Sequence, residues 1–208
     1  MNTRKPQIIF SKSSPYIVQD VDILEDCEGE ILPTKPIMAL CRCGKSKTKP
    51  YCDGKHIESG FLNQSKEDFP GEIKEYYGRE ITIYFDLSVC SHSAVCLNQL
   101  PSVFNLNRRP WINANGAKTQ QIMKTIDDCP SGALKYVLHG KQHETLQRET
   151  KIVIAENGPF NVEGGIELCG DTHPPADQER YCLCRCGCTK NTPFCDETHN
   201  MLINEEKF

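Results

Sequence analysis

Long apolar runs are missing from this sequence. No stretch of its 208 residues reaches the roughly 18 consecutive apolar positions of a membrane-spanning helix, so no membrane span is expected. The opening Met1-Asn2-Thr3-Arg4-Lys5-Pro6 lacks the apolar stretch of a secretory signal, which points to a cytoplasmic chain. No long basic run is present and the net charge is −4, so nucleic acid is not an expected partner. Also missing are a dinucleotide fingerprint, a Gly-x-Ser-x-Gly elbow, a P-loop and a kinase pattern, so an independent enzyme is not expected. The remaining composition, 38% hydrophobic and 25% charged, is ordinary for a globular chain of a few small domains.

Cysteine is abundant by contrast, with 13 in the chain. An odd count and the missing signal argue against a disulfide framework, and clustered spacing points to metal. The cysteines expose an internal repeat. Cys41, Cys43, Pro50, Cys52, Asp53 and His56 recur as Cys184, Cys186, Pro193, Cys195, Asp196 and His199, each at an offset of 143 without a gap. Upstream, Ser14-Pro15-Tyr16-Ile17-Val18 resembles Gly158-Pro159-Phe160-Asn161-Val162 at an offset of 144. The repeated unit is a strand-rich lead-in followed by a C-x-C-x8-C-x3-H loop.

The spacing has a physical logic. Residues two apart in extended chain project to one side, so Cys41 and Cys43 can serve one site. Gly44, Ser46 and Pro50 suit a turn that returns Cys52. Asp53 is placed to cap a helix whose first turn sets His56 on the same face as Cys52. Three thiolates and an imidazole converge, and spacing alone would also accept tetrahedral zinc.

Both segments resemble the CDGSH iron–sulfur family (mitoNEET-like), whose signature reads C-x-C-x2-(S/T)-x3-P-x-C-D-G-x-H. The first copy matches throughout. The second keeps Thr189 and Pro193 but has Glu197 in place of the glycine, with Cys188 beside the loop. The resemblance implies one [2Fe–2S] cluster on Cys41, Cys43, Cys52 and His56, and another on Cys184, Cys186, Cys195 and His199. A neutral imidazole in place of a thiolate raises the reduction potential and makes cluster retention sensitive to pH. The family builds paired two-cluster units from swapped strands, so the two ends are expected to pair within one monomeric chain.

Between the repeats, roughly Gly71 to His139, lies a different module. Ile81, Ile83 and Phe85 alternate as in a strand, and Cys90-Ser-His-Ser-Ala-Val-Cys96 follows. Short strands are expected over Val103–Leu106 and Trp111–Asn113. A helix is expected over Lys118–Asp128 with Ile122, Met123, Ile126 and Cys129 on its apolar face. A last strand lies near Leu134–Leu138, giving the order βαββαβ. With Ser93 at the second cysteine position of C-x2-C-x2-C and Cys129-Pro130 as the last ligand, the stretch resembles the divergent single-cluster ferredoxin domain of the YjdI type. The resemblance implies a third cluster on Cys90, Cys96 and Cys129. Three thiolates suit a [3Fe–4S] cluster. The alternative [4Fe–4S] form needs a fourth ligand, for which Ser93, His92 or water is at hand.

The expected architecture is α+β: two small β-rich CDGSH units, 1–68 and 141–208, flanking a ferredoxin-like βαββαβ domain at 69–140. Cys182 and Cys188 are read as uncommitted thiols near a cluster, Cys27 as an uncommitted thiol, and Cys169 with His173 as a loop. His139 and His143 are not taken as a zinc site, and Trp111 is assigned to a core. The leading function is one-electron transfer or redox buffering with a redox partner protein. The runners-up are cluster storage, transfer to an apo-acceptor protein or redox/pH sensing, and a redox subunit of a larger complex.

Overall fold

A computed structural model of the chain describes residues 5–61, 72–142, 146–172 and 174–199. The expected domain boundary at 68/69, as well as His143 and His173, lies outside these described residues. The N-terminal third contributes strands β1 Gln7–Phe10, β2 Tyr16–Gln19, β3 Leu24–Glu25 and β4 Ile37–Leu40, then the single-turn helix α1 Lys55–Glu58. The middle third contributes β5 Ile73–Tyr77, β6 Ile81–Asp86, a 3₁₀ turn at Leu87–Val89, α2 Val95–Gln99, α3 Thr119–Asp127, β7 Leu134–Leu138 and β8 Lys141–Gln142. The last third contributes β9 Lys151–Ile154, β10 Phe160–Glu163, β11 Glu167–Gly170 and β12 Arg180–Leu183. The described residues are α+β and rich in strands.

Period-2 alternation explains the short strands. In β1 and β9 every second side chain is buried (Ile8 and Phe10; Ile152 and Ile154), and β2 and β10 bury Tyr16 and Val18, Phe160 and Val162. Each set is too small to cover itself, and the chain solves this by exchange. One sheet runs β11-β1-β2-β4 and the other β12-β10-β9-β3, so the third strand of each repeat lies in the sheet of the other. The registers mirror one another: β11 pairs parallel with β1 through Ile8↔Leu168, and β3 pairs parallel with β9 through Leu24↔Ile152. The two inner faces close over one core that includes Ile8, Phe10, Tyr16, Val18, Leu24, Ile152, Phe160, Val162, Leu168 and Tyr181. Full burial of each of these aliphatic side chains is worth about 1.5–3 kcal/mol. Cys169, expected in a loop, lies on the exchanged strand β11 because Leu168 anchors that segment beside Ile8.

The middle module has its own antiparallel sheet, β5-β6-β7-β8, and its own core around Ile81, Ile83, Phe104, Ile112, Ile122, Ile126 and Leu134. Helix α3 buries Ile122, Thr125 and Ile126 and leaves Met123 half-buried. The two strands expected over Val103–Leu106 and Trp111–Asn113 shrink to one bridge, Phe104↔Ile112. Their backbone is too short to build a ladder, although Asn113 N–H still donates to the Val103 carbonyl. Trp111 packs edge-on against Phe85 with ring centroids 5.0 Å apart. Strands β5 and β8 were not foreseen from the sequence. Four of the five β5 side chains are exposed, so no apolar alternation marks that strand.

Candidate iron–sulfur sites

The C-x-C-x8-C-x3-H loops are built by the same hydrogen bonds in both copies. Cys41 N–H donates to Pro50 O at 2.8 Å, and Cys184 N–H to Pro193 O at 2.9 Å, closing the excursion. The Ser46 hydroxyl donates to Tyr51 O and that of Thr189 to Phe194 O, both at 2.7 Å, which explains why the motif calls for a hydroxyl there. Asp53 accepts from the backbone amides of Lys47 (2.8 Å) and Lys55 (3.1 Å), and Asp196 from those of Lys190 (2.8 Å) and Thr198 (3.1 Å). The aspartate therefore ties the start of the excursion to the turn before the histidine. Backbone amides hold Asp53 below the usual carboxylate range. Burial would raise Asp196, but the same kind of amide bonds more than offset it and hold it low as well. The cap position of α1 is Gly54, at φ +88°, and Glu197 takes that conformation in the second copy at φ +64°.

The sulfur and nitrogen atoms meet in pairs. Cys41 and Cys43 Sγ are 3.7 Å apart, and Cys184 and Cys186 Sγ 3.5 Å. Cys52 Sγ lies 3.3 Å from His56 Nδ1, and Cys195 Sγ 3.9 Å from His199 Nδ1. A tetrahedral metal with bonds of about 2.0–2.3 Å separates two thiolates by about 3.8 Å and a thiolate and imidazole by about 3.6 Å. Each loop therefore presents two pairs, each spaced to share one ion. Among the described residues no three or more His, Cys, Asp and Glu side chains gather tightly enough for a single ion. Two pairs on one loop fit a binuclear group with one iron per pair.

The thiol electrostatics agree. Burial raises Cys43, and burial with the Cys184 thiolate nearby pushes Cys195 up to about 12. A hydrogen bond between Cys184 and Cys186, together with burial, drives Cys184 well up, and the same bond lowers Cys186. The two sulfurs are close enough for ionisation of one to oppose ionisation of the other, and a bound cation removes that conflict.

The two loops lie back to back. A Cβ on Gly44 would sit 2.7 Å from the Cys186 carbonyl oxygen, and one on Gly187 would sit 3.1 Å from Cys43 Cα. Only glycine permits this approach, and both residues have positive φ, +74° and +80°. One cavity of ≈ 540 Å³ consequently borders Cys41 and Cys43 on one side and Cys184, Cys186, Cys195 and His199 on the other. Arg42 and Arg185, the residues between the paired cysteines, turn away from the ligands and donate to carbonyls: Arg42 to Ser11, Lys12 and Ser14, Arg185 to Ala155 and Gly158. Cys27 and Cys188 are exposed.

In the middle module Cys90 follows the 3₁₀ turn, which Asp86 caps by accepting from Ser88 N–H; Cys96 lies in α2, and Cys129 follows α3. Burial pushes Cys90 up to about 12, with Cys129 and Cys96 adding, and Cys96 up to about 11, with Cys129 adding. Cys90 and Cys96 are thus both held as neutral thiols by burial and by Cys129 nearby, and a cationic iron–sulfur core is what would let such a set ionise. His92 and Ser93, the suggested extra ligands, are exposed. His139 is exposed at the sheet edge.

This site rests against the C-terminal repeat. Asn191 Nδ2 donates to Ser88 O, and both Arg148 and Arg180 donate to Asp127 O. Sequence reasoning missed that Cys182 belongs to this contact. Strand β12 alternates: Tyr181 and Leu183 enter the shared core, so Arg180 and Cys182 face the middle module. The signal was present in the Cys182-x-Cys184 spacing, which places both thiols on one face of the strand.

Two comparisons agree with this construction. The family model described as "Iron-binding zinc finger CDGSH type" matches residues 13–57 and 157–200, and the one described as "Divergent 4Fe-4S mono-cluster" matches residues 76–139. "Uncharacterized protein YjdI" of Escherichia coli K12 is 42% identical over 66 residues, covering 32% of this chain and 87% of that protein; its O157:H7 counterpart gives the same values. No solved structure matches. Two CDGSH-type modules thus enclose a middle third through which the chain belongs to the divergent 4Fe-4S mono-cluster family of YjdI.

Proposed function

We propose that the protein is a cytoplasmic, monomeric one-electron relay or redox buffer with three iron–sulfur centres, serving a redox partner protein. Cys41, Cys43, Cys52 and His56 hold one [2Fe–2S] cluster, Cys184, Cys186, Cys195 and His199 another, and Cys90, Cys96 and Cys129 the third. Bound there, the clusters supply one-electron chemistry at potentials set by ligand type and surroundings. The observation that carries the reading is the back-to-back packing of the CDGSH loops at Gly44 and Gly187, with Asn191 fastening the second loop to the middle site. Residues 1–68, 69–140 and 141–208 then act as three cluster-bearing units. The strand exchange supports the monomer, because each repeat already holds its partner's strand. No described helix is long and apolar enough to cross a membrane.

A redox titration of the anaerobically purified chain, followed by electron paramagnetic resonance with iron and sulfide analysis, tests this. Three separately reducible centres that equilibrate within one chain support it. Fewer than three centres, or loss of clusters on one reduction cycle, overturns it. One observation favours cluster delivery as a second reading: each loop leaves two of its four ligands only half-buried, Cys52 and His56 in the first and Cys186 and His199 in the second. Transfer of a [2Fe–2S] cluster to an apo-acceptor protein would establish it.

A further inference from the structure

We propose that Cys182, from the C-terminal CDGSH unit, is the fourth ligand of the middle cluster, completing a [4Fe–4S] site across the interface between the two modules. The inference rests on the reading that Cys90, Cys96 and Cys129 hold that cluster.

Three thiolates leave one corner of a four-iron cluster without a protein ligand. The residues adjacent in sequence do not fill it, because His92 and Ser93 are exposed. Cys182 is 2% exposed and faces the middle module, opposite the core-facing Tyr181 and Leu183. Both arms of the site are fastened around it. On one arm, a Cβ on Gly132 would lie 3.0 Å from Arg180 O, so the Cys129-Pro-Ser-Gly132 turn packs on the strand two residues from Cys182. On the other arm, Asn191 holds the Ser88 carbonyl, two residues before Cys90. The Cys182 thiol is within electrostatic reach of both Cys129 and Cys90.

A second, independent observation points to a ligand here. Ser91, next to Cys90, is 4% exposed, and its Oγ has no hydrogen-bond partner among the described residues. It lies beside the Cys182 sulfur. A buried hydroxyl without an acceptor is destabilising. A cluster sulfide or a ligating thiolate is the acceptor that satisfies it. The Cys182 thiol itself donates to Asn161 Oδ1 at 3.1 Å, its cross-strand partner. On ligation that proton leaves to solvent, and the Asn161 carboxamide, turned about its own bond, can donate N–H to the sulfur instead. Strand β12 and the residue that follows it would then ligate two clusters from positions two apart, the middle one through Cys182 and the C-terminal [2Fe–2S] through Cys184.

The test compares anaerobically purified full-length protein with its Cys182→Ala, Cys182→Ser and Cys129→Ala variants by Mössbauer and electron paramagnetic resonance spectroscopy. Cys182→Ala is expected to lose about one iron per chain and to show a [3Fe–4S] signal on mild oxidation, while the [2Fe–2S] absorption stays. A four-iron cluster of unchanged stability in both Cys182 variants overturns the inference. Total iron unchanged in Cys129→Ala instead overturns the reading beneath it. Should the Cys182 variants also lose the C-terminal [2Fe–2S] cluster, the unaltered protein decides. Incubated with ⁵⁷Fe²⁺ and reductant, a corner held by Cys182 takes up no label, whereas uptake of about one iron per middle cluster reveals an unligated corner and overturns the proposal.

Discussion

In both CDGSH loops an arginine anchors the lead-in, a hydroxyl closes the excursion and an aspartate ties its ends, yet the two loops sit in different surroundings. Tyr16 OH donates to Cys184 O at 2.9 Å and to Pro193 O at 3.2 Å, capping the C-terminal loop from the other repeat. The equivalent residue facing the N-terminal loop is Phe160, which has no hydroxyl. The C-terminal loop is also covered by the middle module through Asn191, and Glu197 there takes a left-handed backbone, which costs a non-glycine residue about 1–2 kcal/mol. In sequence the N-terminal loop is strongly basic, with Arg42, Lys45, Lys47, Lys49 and Lys55 against Asp53. In space Lys55 is paired with Glu58, Arg42 is spent on carbonyls, and Lys45 and Lys49 border the cavity that also contains Cys195 and His199. Charge counted along one loop is therefore shared by both sites.

The largest test exchanges a ligand. His56→Cys and His199→Cys should each lower the potential of their own [2Fe–2S] cluster by on the order of hundreds of millivolts and make it more resistant to acid. Separate redox titrations and acid-loss profiles check this, and equal effects at both sites would erase the difference in surroundings. Next comes the seam. Gly44→Ala places a Cβ against Cys186 O and should destabilise the chain by about 2–4 kcal/mol, releasing cluster from the C-terminal loop too. Gly54→Ala, with open space around its Cβ, should cost about 1–2 kcal/mol and affect only its own loop; urea unfolding with visible absorption reads both.

Tyr16→Phe should cost about 1 kcal/mol and loosen the C-terminal cluster alone, making that loop resemble its partner. Cluster-loss half-lives at moderate denaturant check it. A smaller contrast lies at the exchanged strands. Glu25 and Lys151 pair at 3.0 Å and are about three-quarters buried, whereas Lys5 and Glu167 pair at 3.5 Å in the open. Glu25→Gln should cost about 1 kcal/mol and Glu167→Gln almost nothing. The hydrogen bond that Lys151 donates to Glu25 raises the Lys151 pKa. A raised lysine contributes its stability fully at neutral pH and loses it as pH climbs through the folded value, so the Glu25 pair should steepen alkaline unfolding. The smallest effect is charge. Lys45→Gln with Lys49→Gln should lower both [2Fe–2S] potentials by tens of millivolts at low salt, about 40 mV corresponding to 1 kcal/mol for one electron, and less at high salt. A shift confined to the N-terminal cluster would show that loop-local counting holds after all.

The ligand loops were legible because their chemistry is local. Cys41, Cys43, Cys52 and His56 lie within one short excursion, and the 143-residue repeat announced the second set. Strand β6 and helix α3 were legible because each buries a regular stripe. The bridge at Phe104 and Ile112 was overread, since β-type residues bounded a turn too short for strands. The charge of the N-terminal loop was legible too, but not that Lys45 and Lys49 border a cavity shared with Cys195 and His199.

By itself the sequence determined which thiols and imidazoles are candidate ligands, how they are spaced along the chain and which residues close each loop, because those interactions span only a few positions. Only the tertiary structure decided that β3 and β11 exchange sheets, that Gly44 and Gly187 bring the two loops into contact, and that Cys182 faces Cys90 and Cys129. The physical reason is the same in each case. Neither repeat buries its apolar face alone, so the chain must pair ends more than 140 residues apart, as Ile8 and Leu168 do. That long-range burial, rather than any local preference, fixes where the remaining thiols lie.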